Sequence, residues 1–319
     1  MSRPAVDEGV LAPEVVGWLD ANPFAATPFD DFSPEMLALA RGPVGTLSTR
    51  SINRVTDDSV EGIPIRVYRN DAPPSGLIVY FHGGGFCIGS IGLMDNVARE
   101  LAHAGNAVVV SVEYRLAPEH PYPAGLDDCE TVTRWAIAHA TELGASPERV
   151  VVAGESAGGT MSAAVALRLR GSAEYRLAGQ VLMYPGTDAD SWEHRSRHEF
   201  DGVVLNRKTM GEFWARYSAG RDLSHDPFAA PLQAPSLAEL PPALLVLGGC
   251  DLLRDEGRLY AARLREAGVP TEDVCYGGQP HGFINFGVPA AAEAFERIAS
   301  WLGAVFERSD AAKRVPSTD

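Results

Sequence analysis

The chain of 319 residues has little positive charge: 27 lysine and arginine residues face 42 aspartate and glutamate residues, which gives a formal net charge of -15 at pH 7. Proteins that bind nucleic acid neutralise its phosphates with positive side chains, so this balance argues against nucleic-acid binding. The same balance gives no support for docking on an anionic membrane surface. Lysine itself occurs only at Lys208 and Lys313, a bias to which we assign no function.

Long apolar runs and cysteine pairs are also missing. No apolar run approaches the ~20 residues that cross a bilayer, so we expect no membrane insertion. Residues 1–8 lack the apolar core of a secretory signal, and the cysteines form neither a Cys-x-x-Cys pair nor a cluster with metal-ligand spacing. These absences predict a cytoplasmic protein with reduced thiols at four positions, Cys87, Cys129, Cys250 and Cys275.

Eight segments have the composition of β-strands. The first two alternate in polarity, as an edge hairpin does, and the later ones are separated by helical segments. This order predicts an α/β fold with a mostly parallel, eight-stranded sheet that is flanked by helices and has an antiparallel edge. One helix is expected to begin at a cap on Asp127 or Asp128. The predicted strands are residues 51–56, 63–69, 76–81, 107–112, 149–153, 179–184, 243–247 and 271–276.

Residues 154–158 read Gly-Glu-Ser-Ala-Gly, between the fifth predicted strand and an Ala-rich helical segment at 159–170. A strand, a Gly-x-Ser-x-Gly turn and a helix form a nucleophile elbow, in which the glycines let the chain double back tightly. The turn would present the Ser156 hydroxyl above the carboxyl edge of the sheet and leave the Ala157 N–H at a helix N-terminus. The alternative is a strand-to-helix turn with an incidental serine.

A base and an acid follow the last two predicted strands: His281 comes after the eighth strand and Asp251 after the seventh. With Ser156 they give the order Ser, Asp, His of α/β-hydrolases, in which the histidine takes the serine proton and the acid orients the histidine. Activity would then rise as His281 loses its proton, near a reference pKa of ~6.5. Asp255 and Glu256 are competing acids, but both lie at the start of a helical segment, where capping explains them.

Residues 82–86, directly after the third predicted strand, read His-Gly-Gly-Gly-Phe. Consecutive glycines cost backbone entropy, and they are useful where bare N–H groups must approach a ligand closely. Two N–H groups of this loop, with that of Ala157, would form a three-donor oxyanion hole, in which one donor can contribute roughly 3–4 kcal/mol. A phosphate loop is the alternative, but neither Gly-x-x-x-x-Gly-Lys-[Ser/Thr] nor Gly-x-Gly-x-x-Gly is present.

Five motifs, taken as a set, resemble those of the bacterial hormone-sensitive-lipase-like esterases, and the resemblance runs from about residue 10 to residue 306. Two departures are visible. The elbow of the family usually has Asp where this chain has Glu155, and Glu113 replaces the usual Asp before Tyr-Arg-Leu-Ala-Pro. The motifs are His-Gly-Gly-Gly at 82–85, Tyr-Arg-Leu-Ala-Pro-Glu-His-Pro at 114–121, the elbow at 154–159, Asp-Leu-Leu-Arg-Asp-Glu at 251–256 and His-Gly-Phe at 281–283.

The resemblance implies a capped α/β-hydrolase that hydrolyses carboxylic esters with short or medium acyl chains through an acyl-enzyme, without a cofactor. The site residues that it implies are the triad Ser156, Asp251 and His281 and the oxyanion donors Gly84, Gly85 and Ala157, with Gly83 as a further candidate. The shape of the pocket depends on how the cap folds over the site. Candidates for its wall are Phe86, Leu205, Phe213 and Trp214, and Trp18 is also expected over the site.

Two segments are candidates for the cap. Nearly sixty residues separate the sixth and seventh predicted strands, more than one crossover needs, and two short helical segments precede the sheet. The alternative is that these segments only pack on the core. We expect cap segments at 1–48 and 186–226, an α/β-hydrolase catalytic domain at 49–185 and 227–307, and a flexible tail at 308–319.

His194 and His198 have a zinc-compatible i, i+4 spacing, but they lack the Glu of His-Glu-x-x-His and a third ligand nearby, so we expect no metal site. An amidase or peptidase would use the same triad, whereas a non-catalytic small-molecule receptor on this fold would typically lack a triad member. The expected partner is a small-molecule ester. A homodimer is compatible with the chain, and the natural substrate stays open.

Overall fold

The computed structural model describes residues 9–22, 29, 31–42, 50–189 and 193–311. Its strands are β1 Arg54–Val60, β2 Ile63–Arg69, β3 Gly76–Phe81, β4 Ala107–Val112, β5 Val150–Glu155, β6 Gly179–Met183, β7 Ala243–Gly248 and β8 Thr271–Tyr276. They form an eight-stranded sheet in the order β1-β2-β4-β3-β5-β6-β7-β8. Strands β3 to β8 run parallel to one another, and β2 is antiparallel to both β1 and β4.

The predicted α/β fold with a mostly parallel sheet is confirmed. Every residue of β3 to β7 is buried. Helices cover both faces of these central strands, which explains why the strands are continuous apolar runs in the sequence. The helices of the described residues are α1 Pro13–Ala21, α2 Pro34–Arg41, α3 Asp95–Ala104, α4 Ala124–Ala138, α5 Ala157–Leu169, α6 Ser196–Glu199, α7 Arg207–Ser218, α8 Arg254–Glu266 and α9 Pro289–Ala311.

The first strand lies later in the chain than the sequence predicted. It runs to Val60 rather than ending at residue 56, because a two-residue turn at Glu61 and Gly62 joins it to β2. Both turn residues have positive φ, 50° and 85°, as tight hairpin turns require, and Val60 pairs with Ile63. Strand β1 therefore contains acidic residues. They are tolerated there because β1 is an exposed edge strand.

Helix α4 begins at Ala124 and not at a cap on Asp127 or Asp128. Asp128 is buried and binds Arg115 instead. Its carboxylate accepts hydrogen bonds from the Arg115 backbone N–H at 2.9 Å and from the guanidinium at 2.7 Å. The predicted cap is therefore wrong, because this carboxylate holds the loop of residues 114–121 against the helix.

Helix α7 belongs to the insertion after β6 and packs against residues that precede the sheet. The Phe213 ring lies 6.2 Å from that of Phe29 and 5.1 Å from that of Phe32, measured between centroids. Thr209 donates a hydrogen bond to the Phe29 carbonyl oxygen at 2.7 Å. The two segments expected to form a cap are therefore in contact with each other.

Helix α1 instead packs on the main body of the protein. Val15 is fully buried in the core, and the Trp18 ring stacks on Phe286 with centroids 4.0 Å apart. The segment 1–48 therefore divides, with α1 on the core and α2 nearer the insertion. Its residues 1–8, 23–28, 30 and 43–49 lie outside the described residues, as do residues 190–192 of the insertion.

The last helix, α9, covers one face of the sheet with buried side chains that include Trp301 and Phe306. It extends to Ala311, beyond the domain boundary expected at residue 307. The remaining residues of the expected flexible tail, 312–319, lie outside the described residues. None of the helices in the described ranges combines the length and the apolar character that crossing a membrane requires.

Candidate active site

The elbow turns within a single residue, so the predicted strand and helix that flank it were both too short. Strand β5 continues to Glu155 and helix α5 starts at Ala157, which leaves Ser156 alone between them. Ser156 has φ 55° and ψ -121°, a strained conformation for a residue with a side chain. A Cβ on Gly154 or Gly158 would collide with backbone atoms of the turn and of β3, which explains both glycines.

His281 lies between Ser156 and Asp251. Its Nε2 is 2.9 Å from the Ser156 Oγ, and its Nδ1 is 2.9 Å from the Asp251 Oδ2. Asp251 is fully buried, and its Oδ1 accepts the Leu253 N–H at 2.9 Å, which orients the carboxylate towards the ring. The three residues that the strand ends predicted are thus brought into one hydrogen-bonded chain, the arrangement that activates a serine hydroxyl.

The surroundings of His281 make its imidazole more basic. Burial alone would lower its pKa, but the charge and hydrogen bond of Asp251, with the charge of Glu155, raise the pKa of His281 above its ordinary value. The ring also meets the Tyr184 ring edge-on, with centroids 4.9 Å apart. A more basic imidazole accepts the serine proton more readily, provided that it is neutral at the working pH.

The two competing acids have structural partners. Asp255 accepts the Ser196 N–H at 2.9 Å. Glu256 forms a salt bridge with Arg197 at 2.5 Å, and both side chains are fully buried. Burial raises the pKa of Glu256, although the Arg197 charge opposes this. Both acids therefore tie the insertion after β6 to helix α8, a structural role that goes beyond the helix capping that the sequence suggested.

The loop after β3 presents bare N–H groups to the site. Gly84 and Gly85 have φ of 115° and 56°, a region that favours glycine. Among the described residues, no acceptor binds the N–H groups of Gly84, Gly85 or Ala157, and all three residues line the same cavity as Ser156. The Gly83 N–H instead donates to the Glu155 Oε1 at 2.5 Å, so Gly83 is excluded as an oxyanion donor in this arrangement.

A cavity of about 610 Å³ opens above the Ser156 hydroxyl, and most of its lining is apolar. All four residues predicted for the pocket wall contribute to it, namely Phe86, Leu205, Phe213 and Trp214. Trp18 does not, because its ring is stacked against the core. Met36 and Leu39 of helix α2 also line the cavity, and the sequence did not predict them. The amphipathic spacing of this helix indicated only that its apolar face packs against another part of the protein.

Two acidic side chains also reach the lining of this cavity, those of Glu155 and Asp188. Asp188 accepts hydrogen bonds from His194 at 2.9 Å and from Gln233 at 2.8 Å. Burial would raise the pKa of Asp188, but these partners hold the pKa below its usual value. Of the two histidines with zinc-like spacing, His194 thus binds Asp188, and His198 accepts a hydrogen bond from an arginine. No three His, Cys, Asp or Glu side chains are placed to hold a metal ion within the residues described.

Known proteins share most of this chain. A family model described as alpha/beta hydrolase fold matches residues 78–285. The carboxylesterase NlhH of Mycobacterium tuberculosis is 39% identical over 311 residues, which cover 93% of this chain and 97% of that protein. The esterase LipI of the same species is 37% identical over 306 residues, which cover 92% and 93% of the two chains.

A solved structure agrees with the fold and with these names. The hyperthermophilic esterase of the archaeon Pyrobaculum calidifontis matches with a TM-score of 0.80 at 34% identity, covering 92% of this chain and 98% of that one. The names of these relatives do not favour the amidase, peptidase or receptor alternatives. The chain therefore belongs to the α/β-hydrolase fold family, among its hormone-sensitive-lipase-like esterases.

Proposed function

We propose that this chain hydrolyses carboxylic esters with Ser156 as the nucleophile, His281 as the general base and Asp251 as the acid that orients the base. The observation that carries the proposal is the pair of 2.9 Å contacts of the His281 ring, one to each partner, at the floor of an apolar cavity. Asp251 holds the tautomer that has its proton on Nδ1, which leaves Nε2 to accept a proton from the serine.

The reaction divides into two steps. The Ser156 Oγ attacks the ester carbonyl carbon while its proton passes to the His281 Nε2, and Asp251 stabilises the imidazolium. When the bond to the leaving oxygen breaks, that proton passes from Nε2 to the alcohol, and the acyl group stays on Oγ. Water then attacks the acyl carbon as it gives a proton to Nε2, and the serine leaves with that proton as the acid is released.

The oxyanion forms opposite three backbone donors. We assign its binding to the N–H groups of Gly84, Gly85 and Ala157, which line the cavity and lack other acceptors among the described residues. Ala157 is also the first residue of α5, where the helix dipole places positive charge. Such donors bind the tetrahedral intermediate more strongly than the ester, and for this reason they raise kcat.

The substrate class is an ester with a short or medium acyl chain. A cavity of about 610 Å³ with a mostly apolar lining suits such a molecule. Asp188 at its lining, whose pKa lies below the usual value, disfavours a substrate with a negative charge near it. No cofactor is required, because the triad and the backbone donors supply each proton transfer and the charge stabilisation.

The proposal also includes a cap over the catalytic domain, a cellular location and a partner. The segments 1–48 and 186–226 would form a cap over the catalytic domain of residues 49–185 and 227–307, and the contacts between α7 and Phe29 support this division. The net charge of -15 supports an enzyme that binds no nucleic acid. The free cysteines support a cytoplasmic location, and the expected partner is a small-molecule ester. A homodimer stays a prediction that light scattering would check.

Active-site labelling tests the assignment of the nucleophile. The protein is incubated with a p-nitrophenyl alkylphosphonate, which transfers its phosphonyl group to an activated serine. Mass spectrometry should find one added phosphonyl group per chain, on the peptide that contains Ser156, with loss of activity in proportion. A label on another residue, or complete inhibition without a label on Ser156, would contradict the assignment.

A further inference from the structure

Glu155, the residue before the nucleophile, lies against the oxyanion loop, by which we mean residues 82–87 directly after β3. Its side chain is buried, with 3% of the residue exposed, and its Oε1 accepts the Gly83 N–H at 2.5 Å. A Cβ on Gly83 would collide with both carboxylate oxygens of Glu155. A glycine at position 83 therefore leaves room for this carboxylate to meet the loop backbone directly.

The carbonyl group of Gly83 is held as well. Its oxygen lies 2.7 Å from the His82 Nδ1, and the His82 ring is fully buried and stacked on Tyr114 with centroids 4.4 Å apart. In a planar trans peptide, the carbonyl of residue 83 and the N–H of residue 84 point in opposite directions. Contacts to both groups of Gly83 therefore fix the two peptide planes that lead to the Gly84 N–H.

We propose that Glu155 is a positioning residue for ester hydrolysis: its carboxylate holds Gly83 so that the N–H groups of Gly84 and Gly85 face the oxyanion. This inference rests on the proposed function. Glu155 acts through Gly83 and not on the reacting atoms. The assignment also gives a role to the position at which this chain departs from the usual Asp of its family.

The energetics of burial support a persistent contact. Removal from water raises the pKa of Glu155 to about 7, while the hydrogen bond from Gly83 and the charge of His281 act in the opposite direction. A buried acceptor that loses its donor bears a desolvation cost whether or not the carboxyl group is ionised, so the bond to Gly83 is favoured once the loop has folded. Loosening this bond should release the loop and misalign its donors.

The first test separates kcat from KM in two variants, with p-nitrophenyl butyrate as substrate. Glu155→Ala removes the acceptor and should lower kcat about 10- to 100-fold, with KM changed less than about threefold, because oxyanion donors act on the transition state. Glu155→Gln keeps an acceptor oxygen and should recover most of the lost kcat. The exposed Glu142→Ala is the matched control and should behave as the unmodified protein. A folded Glu155→Ala with unchanged kcat would overturn the proposal, and so would a Gln variant as impaired as the Ala variant.

The second test is a double-mutant cycle with Gly83→Ala. Alone, this substitution places a methyl group on the Glu155 carboxylate and should lower kcat. In the Glu155→Ala background the space is open, so the same methyl group should cost at least about fivefold less, since contacting residues are not additive. Additive effects would overturn the proposal. If Glu155→Ala does not fold by circular dichroism, the cycle is run with Glu155→Asp, which also withdraws the carboxylate.

A transition-state analogue gives a third measurement. A trifluoromethyl ketone forms a tetrahedral adduct with an oxyanion, so its Ki should rise in proportion to the loss of kcat/KM across these variants. Constant Ki values would contradict the positioning role. Phosphonate labelling of Ser156 and the inactivity of Ser156→Ala test the proposed function separately. If those two results hold and the Glu155 results fail, only the present inference is wrong.

Discussion

The Arg41 guanidinium donates a hydrogen bond to the Cys87 carbonyl oxygen at 2.8 Å, which joins the last residue of helix α2 to the oxyanion loop. The same group donates to the Ala117 carbonyl oxygen at 2.8 Å and to the Glu119 carboxylate at 2.9 Å. The planar fork of an arginine suits such multiple acceptors. One side chain therefore links the helix that carries Met36 and Leu39 to the loops around the site.

Removal of this link should weaken substrate binding. We expect Arg41→Ala to raise KM for p-nitrophenyl butyrate about three- to tenfold, with a smaller effect on kcat, because α2 would no longer hold its part of the cavity wall. Arg41→Lys should be intermediate, since it keeps the charge but loses the fork. Steady-state kinetics measure both, and the exposed Arg176→Ala is the control. Equal KM values for Arg41→Ala and the control would show that the link does not shape the cavity.

The pH profile should report the raised pKa of His281. The histidine must be neutral to accept the serine proton, so kcat/KM rises with pH as His281 loses its proton. Because Asp251 and Glu155 raise the pKa of His281 against the effect of burial, the midpoint of this limb should lie above the ordinary 6.5. Removing the charge with Asp251→Asn should lower the midpoint as well as kcat. A midpoint below 6.5 in the unmodified enzyme would contradict these electrostatics.

The wall of the cavity should set the preference for acyl-chain length. Trp214 lines the cavity, so Trp214→Ala should enlarge it. The ratio of kcat/KM for p-nitrophenyl octanoate over butyrate should then rise by about 10-fold, which is the effect expected when about two of the additional methylenes become buried. Trp135→Ala removes a partly buried tryptophan from α4, outside the residues that line the cavity, and is the matched control. An unchanged ratio in Trp214→Ala would place the acyl chain elsewhere.

The buried pair Arg197 and Glu256 should govern the stability of the insertion. Arg197→Met leaves the buried Glu256 carboxylate unpaired and should lower the free energy of unfolding by about 3–5 kcal/mol. Adding Glu256→Gln removes that charge but keeps an acceptor for the Thr187 N–H, so the double variant should regain part of the loss. Urea denaturation followed by circular dichroism measures both values. A single variant with less than about 1 kcal/mol of destabilisation would contradict a structural role for the pair.

The triad could be located from the sequence because each residue follows its own strand. The glycines of the elbow mark Ser156, and Asp251 and His281 come after the last two predicted strands. Parallel strands bring these ends to one edge of the sheet, so local patterns sufficed. The end of β1 was predicted at residue 56 and not at Val60. The two-residue turn at Glu61 and Gly62 sets the register of this hairpin, but its composition does not distinguish it from other polar segments.

Contacts between distant segments could not be predicted in this way. The pairing of Arg197 with Glu256, and of Arg41 with Cys87, joins residues 59 and 46 positions apart, and no periodicity in the sequence relates them. The hydrogen bond that excludes the Gly83 N–H as an oxyanion donor depends on the length and the conformation of the Glu155 side chain. Such facts depend on the packed tertiary structure, which one sequence does not reveal.

The central claim is that Ser156 is the nucleophile of an ester hydrolase. The most direct measurement is kcat/KM for p-nitrophenyl butyrate with the unmodified protein and with Ser156→Ala, both shown to be folded by circular dichroism. The account predicts turnover by the unmodified protein and a loss of about 10⁴-fold or more in the variant, since triad members act as a unit. A folded Ser156→Ala that keeps its activity, or an unmodified protein that is inert towards short acyl esters, would contradict it.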